Sequence, residues 1–240
     1  MQKLQYAKKA PYYREMKPFL AIILLVVTLN SFAQETFNYQ TDFTNILART
    51  KDPKDKLAYE NLLSRFTALD TTLTDYEVLA LLIGYTDNPD YNPFDFSTEA
   101  EIWTLYDKSK YKQAIDLGQQ YLKTHPFSIK VLFGVAYSFQ QLKQDSRARP
   151  YAYQVLRIFQ AMCFSGYGTW ESPMFSLGAF DGFDYINKFL NASAGKLDPD
   201  RDPNGNFLNI LSAKFEDGQA KVFYFIIEHA TRKIPGTKSE

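Results

Sequence analysis

The run Asp198-Pro199-Asp200-Arg201-Asp202-Pro203-Asn204-Gly205 has the residue types and spacing best suited to chemistry in this chain. Carboxylates at alternate positions can converge on one cation. Asp200, Asp202, Asn204 and Gly205 match the first half of a D-x-D-x-N-G calcium loop. The twelfth position, where a bidentate Glu closes such a site, is Leu211. Two prolines and a glycine make an ion-free loop between a helix and a strand the first reading. Calcium, the one cofactor the sequence leaves open, is the second.

Other reactive groups are sparse. Cys163 could act as a nucleophile with His125 or His229, but it lies on a helical apolar stripe and is expected in the core. Ser165-Gly166-Tyr167-Gly168 lacks the glycine two residues before the serine that a G-x-S-x-G elbow needs. One Cys and two distant His leave too few ligands for a zinc site, and no P-loop or G-x-G-x-x-G occurs. The acidic pairs Asp181/Asp184 and Glu99/Glu101 could serve glycoside hydrolysis, yet carboxylates near a helix start commonly just complement its dipole. No catalytic residue is assigned, and an enzyme is not expected.

Two loops are rich in rings: Tyr85, Tyr91, Phe94 and Phe96 in one, Tyr167 and Trp170 in the other. Exposed rings on loops stack on sugars or anchor a partner; buried ones hold an irregular segment to the body. Tyr91, Phe94, Tyr167 and Trp170 are the candidate contacts. The expected partner is a protein or peptide, with polysaccharide as the alternative.

Residues 19–29 form an uncharged apolar run, too short for a bilayer span and right for the centre of a secretory signal. Lys8, Lys9, Arg14 and Lys17 precede it, and Ser31-Phe32-Ala33 supplies a small-x-small cleavage pattern before Gln34. Residues 1–33 are therefore expected to be a signal peptide, with Met16 an alternative start. No Cys at the junction argues against a lipoprotein. The mature protein is expected to be soluble, in the periplasm or secreted, without a membrane span. The whole chain carries 27 basic and 27 acidic residues. Removing the leader takes five bases and one acid, leaving 22 against 26, a charge of −4, which excludes a basic nucleic-acid surface.

These candidates hang on two kinds of element. From Gln34 to about Ser165 the apolar spacing is helical, with helices at 54–69, 74–83, 98–108, 110–123, 127–143 and 147–163, and a proline-broken loop at 87–93. The last helix carries Ala152, Val155, Leu156, Phe159, Met162 and Cys163 on its stripe. Met174–Leu177 reads as a short strand and 181–190 as a helix. Residues 207–215 and 219–228 read as paired strands around Asp217-Gly218, with Val222–Ile227 covered on both faces. Residues 231–240 read as a tail. The fold class is mostly α, α+β overall. Helix pairs over 34–165 precede a small antiparallel sheet with one helix over 166–240, packed on the helices.

Tyr111-x-x-Ala114-Ile115-x-x-Gly118-x-x-Tyr121-Leu122-x-x-x-Pro126, followed by Gly134-x-x-Tyr137, resembles a tetratricopeptide repeat over residues 98–163. Lys130 stands where the second repeat has its leading aromatic. The resemblance implies antiparallel helix pairs and a groove for a peptide. Asn61-Leu62-Leu63-Ser64-Arg65-Phe66, Asp70–Thr74, Gly84-Tyr85, Tyr91-Asn92-Pro93 and Gly166-Tyr167-Gly168, in that order, resemble a family of exported bacterial proteins built on a domain of unknown function. That resemblance brings no catalytic residues with it.

Overall fold

The computed structural model describes residues 37–234. The expected signal peptide, its cleavage point and residues 235–240 of the tail lie outside the described residues. Among the described residues seven helices come first: α1 Tyr39–Lys51, α2 Tyr59–Thr67, α3 Asp75–Tyr85, α4 Ser97–Asp107, α5 Tyr111–Tyr121, α6 Ile129–Gln141 and α7 Asp145–Ser165. Strand β1 (Met174–Phe175), helix α8 (Asp181–Asp184) with a π turn over Tyr185–Phe189, strands β2 (Ser193–Arg201), β3 (Phe207–Lys214) and β4 (Ala220–Ile226), and helix α9 (Glu228–Thr231) complete it.

Helix α3 organises the rest. Thr74 caps it: its hydroxyl accepts the Glu77 N–H, while the Glu77 carboxylate accepts the Thr74 N–H at 2.8 Å, a reciprocal pair that satisfies two end donors. Beyond that start, Val78 to Ile83 are fully buried. A helix apolar on every side has to be surrounded, and α3 packs against α1, α2 and α7. Arg157 of α7 ties down the approach to it by donating to Asp75 Oδ1 and to the Leu73 carbonyl.

The outer helices α4 to α7 pack in succession. Helices α5 and α6 cross closely at Gly118, where an added Cβ would lie 2.5 Å from Val135 Cγ2. Gly118 is therefore a true close approach, as its spacing predicts. At Gly134 the same test meets open space, so no packing reason requires glycine there.

The sheet runs β1-β4-β3-β2. The β3–β4 hairpin forms around Asp217-Gly218 with Leu208 opposite Ile226, and Gly218 takes the positive φ that the turn demands. Strand β1 joins β4 in parallel, so the sheet is mixed and not purely antiparallel. The covered-strand expectation fails at the start of β4, where Val222 is 45% exposed. Phe223 and Phe225, which point to the opposite face, are buried, so only one face of this end of β4 is covered. Strand β2 stands where a loop was expected. It is the sheet edge, where Pro199 has no ladder hydrogen bond to lose. Ala152 is exposed and off the α7 stripe. The start of the expected tail is helical, with Ala230 and Thr231 buried. Helix α1, which no sequence motif singled out, supplies Phe43 and Ile46 to the core.

One core joins the helices to the sheet. Phe43, Leu79, Phe159, Phe175, Leu211 and Phe225 all belong to it.

Candidate functional site

A cleft of about 440 Å³ opens between the segment after α3, the starts of α4 and α6, and the turn leading into α8. Hydrogen bonds fix its walls. Tyr85 Oη donates to the Thr124 carbonyl, Tyr91 Oη to the Leu177 carbonyl (both 2.7 Å), and Asn209 Nδ2 to the Ala179 carbonyl at 2.6 Å. Rings finish the walls. Phe127 meets Tyr85 edge to face at 5.1 Å, Phe96 meets Phe180 at 4.8 Å, and His125 lies flat on Tyr121 at 4.1 Å.

Carboxyl groups line the same cleft: Asp95, Glu99, Asp181 and Asp184. Each has a different environment. Asp95 Oδ1 accepts from the Ser97 N–H and hydroxyl, which holds its carboxyl below the usual range. Asp184 is paired with Lys188 at 2.5 Å. Glu99 accepts from Ser128 Oγ at 2.5 Å, yet burial pushes its carboxyl up. Asp181 sits at the floor, enclosed by protein but partly open to the cleft. Burial first, then Asp184 and Glu99 nearby, push its carboxyl up to about 7 against the Gly178 N–H and the charge of Lys188, which favour its ionised form. Space is tight there: a Cβ on residue 178 would lie 2.7 Å from Asp181 Oδ1, so a larger residue must push that carboxyl aside.

The sequence candidates are scattered around this cleft. Tyr91 lines it but is buried and anchored. Phe94 is half-buried beside it. Tyr167 is 70% exposed on a distant loop, and Trp170 stands half-buried and edge-on to Tyr224. Trp170 instead shares a second, more polar cleft of about 390 Å³ with Asp202 and Asn204. The carboxylate of Asp202 is occupied by its own turn, accepting from the Asn204 and Asn206 N–H groups and from Asn206 Nδ2. Asp200 accepts from the Arg201 N–H. Among the described residues no cluster of three or more His, Cys, Asp or Glu side chains is placed to hold a metal ion.

Cys163 and the two histidines are not brought together. Cys163 Sγ lies 3.3 Å from Tyr185 Oη, and burial pushes its thiol up. Ser165 Oγ donates to the Met162 carbonyl and accepts the Phe175 N–H, a strand-fixing role. His229 is 3% exposed in a stack with Phe175 (4.5 Å) and Phe43 (5.6 Å), beneath Tyr91. Its Nδ1 lies 3.4 Å from Tyr39 Oη, and its buried Nε2 has no hydrogen-bond partner among the described residues. Burial holds it neutral, with a pKa near 3.

That value is lower than the unfolded one, so the unfolded chain binds the extra proton. His229 therefore contributes its stability fully above about pH 6.5 and loses it progressively as pH falls toward 3. His229→Phe is expected to flatten this acid loss by up to about 1.4 kcal/mol per pH unit. Urea unfolding of both proteins at pH 7 and pH 5 checks it; an unchanged pH slope would contradict the neutral, buried imidazole.

Fold and cleft together define an α+β protein with a preformed, ring-walled acidic cleft. The chain belongs to the family described as "Domain of unknown function (DUF4919)", whose model matches residues 44–233 and so spans every residue lining the cleft. No curated protein and no solved structure matches it.

The sequence named Tyr91, Glu99, Asp181 and Asp184 separately but did not join them into one site, because its parts lie far apart, from Tyr85 to Asp184. The only signal was the raised density of rings and acids at 85–99 and 180–184, and the acids read there as helix-start residues.

Proposed function

We propose that this is an exported, non-enzymatic binding module that takes a segment of a protein or peptide into the ring-walled cleft. The observation that carries the reading is the cleft itself, about 440 Å³ with walls fixed by hydrogen bonds before any ligand arrives. Preformed concave sites with many rings and a few convergent polar groups are where ligands bind. The helix pairs over residues 98–163, read as repeat-like, supply one wall. Export rests on the apolar run 19–29, the bases before it and Ser31-Phe32-Ala33 after it. No helix among the described residues is long and apolar enough to cross a membrane.

A peptide array probed with the purified full chain and with Asn92→Trp tests this. Asn92 is an exposed rim residue, and tryptophan there narrows the entrance. Binding by the wild type and its loss in the variant is the expected result. Equal binding by both would remove the cleft from the account.

One observation favours a second reading, the processing of cell-envelope or dietary polysaccharide. Asp181 holds its proton near neutral pH while Asp95, on the same cleft, stays ionised, a division that acid–base hydrolysis of a glycosidic bond uses. Release of reducing ends from an oligosaccharide panel, abolished in Asp181→Asn, would move the protein to that class.

A further inference from the structure

Charge in the cleft is unbalanced. Asp184 is answered by Lys188. Asp95 and Glu99 are answered by hydroxyl or amide donors. Asp181 has only the Gly178 N–H on Oδ2. Its Oδ1, like Glu99 Oε2, makes no hydrogen bond among the described residues. Against four carboxyls the lining offers Lys130 and His125. Rings line the cleft with the acids, among them Tyr121, Phe96 and Phe180. Carboxylates under rings are the chemistry that recognises an organic cation, through charge and through the ring quadrupole together.

We infer that the cleft floor is a subsite for an organic cation, the ammonium or guanidinium of a lysine or arginine side chain, seated against Asp181 and Glu99. The inference rests on the peptide reading of the same cleft and names what that peptide must carry. A neutral segment leaves the floor as it is, whereas a cation adds counter-charge where Lys188 and Lys130 face four carboxyls.

Binding is then linked to protons. In the empty cleft Asp181 is protonated below about pH 7. Burial sets this first, then Asp184 on its own helix and Glu99 on α4, with the Gly178 N–H and Lys188 on the π turn opposing them; Lys130, Tyr91 and His125 face the same cleft. A seated cation favours the carboxylate, so the proton leaves to solvent as the cation enters. Affinity rises with pH by up to about tenfold per unit below pH 7 and levels off above it. Gly178→Ala, which crowds the Asp181 carboxyl, weakens binding without removing a charge.

The test is calorimetry of the full chain with Ac-Gly-Lys-Gly-NH2 and its norleucine counterpart at pH 5.5 and 7.5, in two buffers of different ionisation heat. The expected result is a preference of about tenfold or more for lysine at pH 7.5. It shrinks at pH 5.5 and is accompanied at pH 6–7 by buffer-dependent heat from proton release. Asp181→Asn, nearly isosteric and so expected to fold, should lose both the preference and the pH dependence. Equal binding of the two peptides, abolished by Asn92→Trp, overturns the cation subsite and leaves the peptide reading standing. A lysine preference that survives in Asp181→Asn also overturns it. Absence of binding by either peptide, with an oligosaccharide bound instead, overturns both.

Discussion

Replacing Asp181 by asparagine makes the folded protein more stable above neutral pH. The folded carboxyl, near 7, lies above its unfolded value. The folded state therefore holds a proton that the unfolded chain releases, between about pH 4 and 7. Stability falls as pH rises through that window and stays low above it, where the ionised group is buried beside Asp184 and Glu99. Asparagine keeps an oxygen for the Gly178 N–H and removes the charge. Because the floor is partly open to the cleft, the gain at pH 8 is expected to be about 2–4 kcal/mol, vanishing by pH 4. Urea midpoints of the two proteins at pH 4, 6 and 8 read it directly. A variant that is less stable than wild type at pH 8 would show that the carboxylate is compensated by something in the cleft. A stabilising substitution at the floor of a cleft is the pattern of a residue kept for binding at the expense of the fold.

Truncating Phe175 should cost the fold more than any other single change considered. The ring is fully buried in β1, where the short strand, α1 and α9 meet. It stacks on His229 at 4.5 Å and on Phe43 at 6.4 Å, and its N–H is held by Ser165. Phe175→Ala leaves a cavity between the helical and sheet parts of the core and is expected to cost about 3–5 kcal/mol. It also frees His229, so acid sensitivity should lessen as the imidazole gains access to water. Thermal unfolding followed at pH 7 and pH 5 checks both effects. A loss below about 1 kcal/mol would mean that the two parts of the core are not joined there.

Much of this architecture could be read from residue order. The β3–β4 hairpin followed from Asp217-Gly218, because only a residue comfortable at positive φ makes that turn tight. The α5–α6 crossing followed from Gly118, because a side chain there would strike Val135. Helix α7 followed from its apolar spacing even though Pro150 lies within its first two turns.

What stayed hidden depends on contacts distant in sequence. Strand β2 carries Pro199 and three charged residues at 198–201, which read as loop. Only its edge position makes them tolerable in a strand. Tyr91 read as a ring in a proline-rich loop, either anchoring the loop to the body or offered to a partner. The Leu177 carbonyl, 86 residues on, draws its hydroxyl inward, and Tyr85 and His229 cover its ring. Asp181 and Glu99 read as ordinary helix-start acids. Both are raised by burial first and then by Asp184, and Asp181 also by Glu99, across a separation that no local pattern records.

Chemical-shift mapping of the amide groups during titration with Ac-Gly-Lys-Gly-NH2 at pH 7.5 puts the cleft itself to the test. The expected perturbations cluster at Tyr121, Ser128, Gly178 and Asp181 and are absent in Asn92→Trp. Perturbations confined to Trp170, Glu171 and Asn204 at the second cleft, or none at all, would contradict a binding site at the ring-walled cleft.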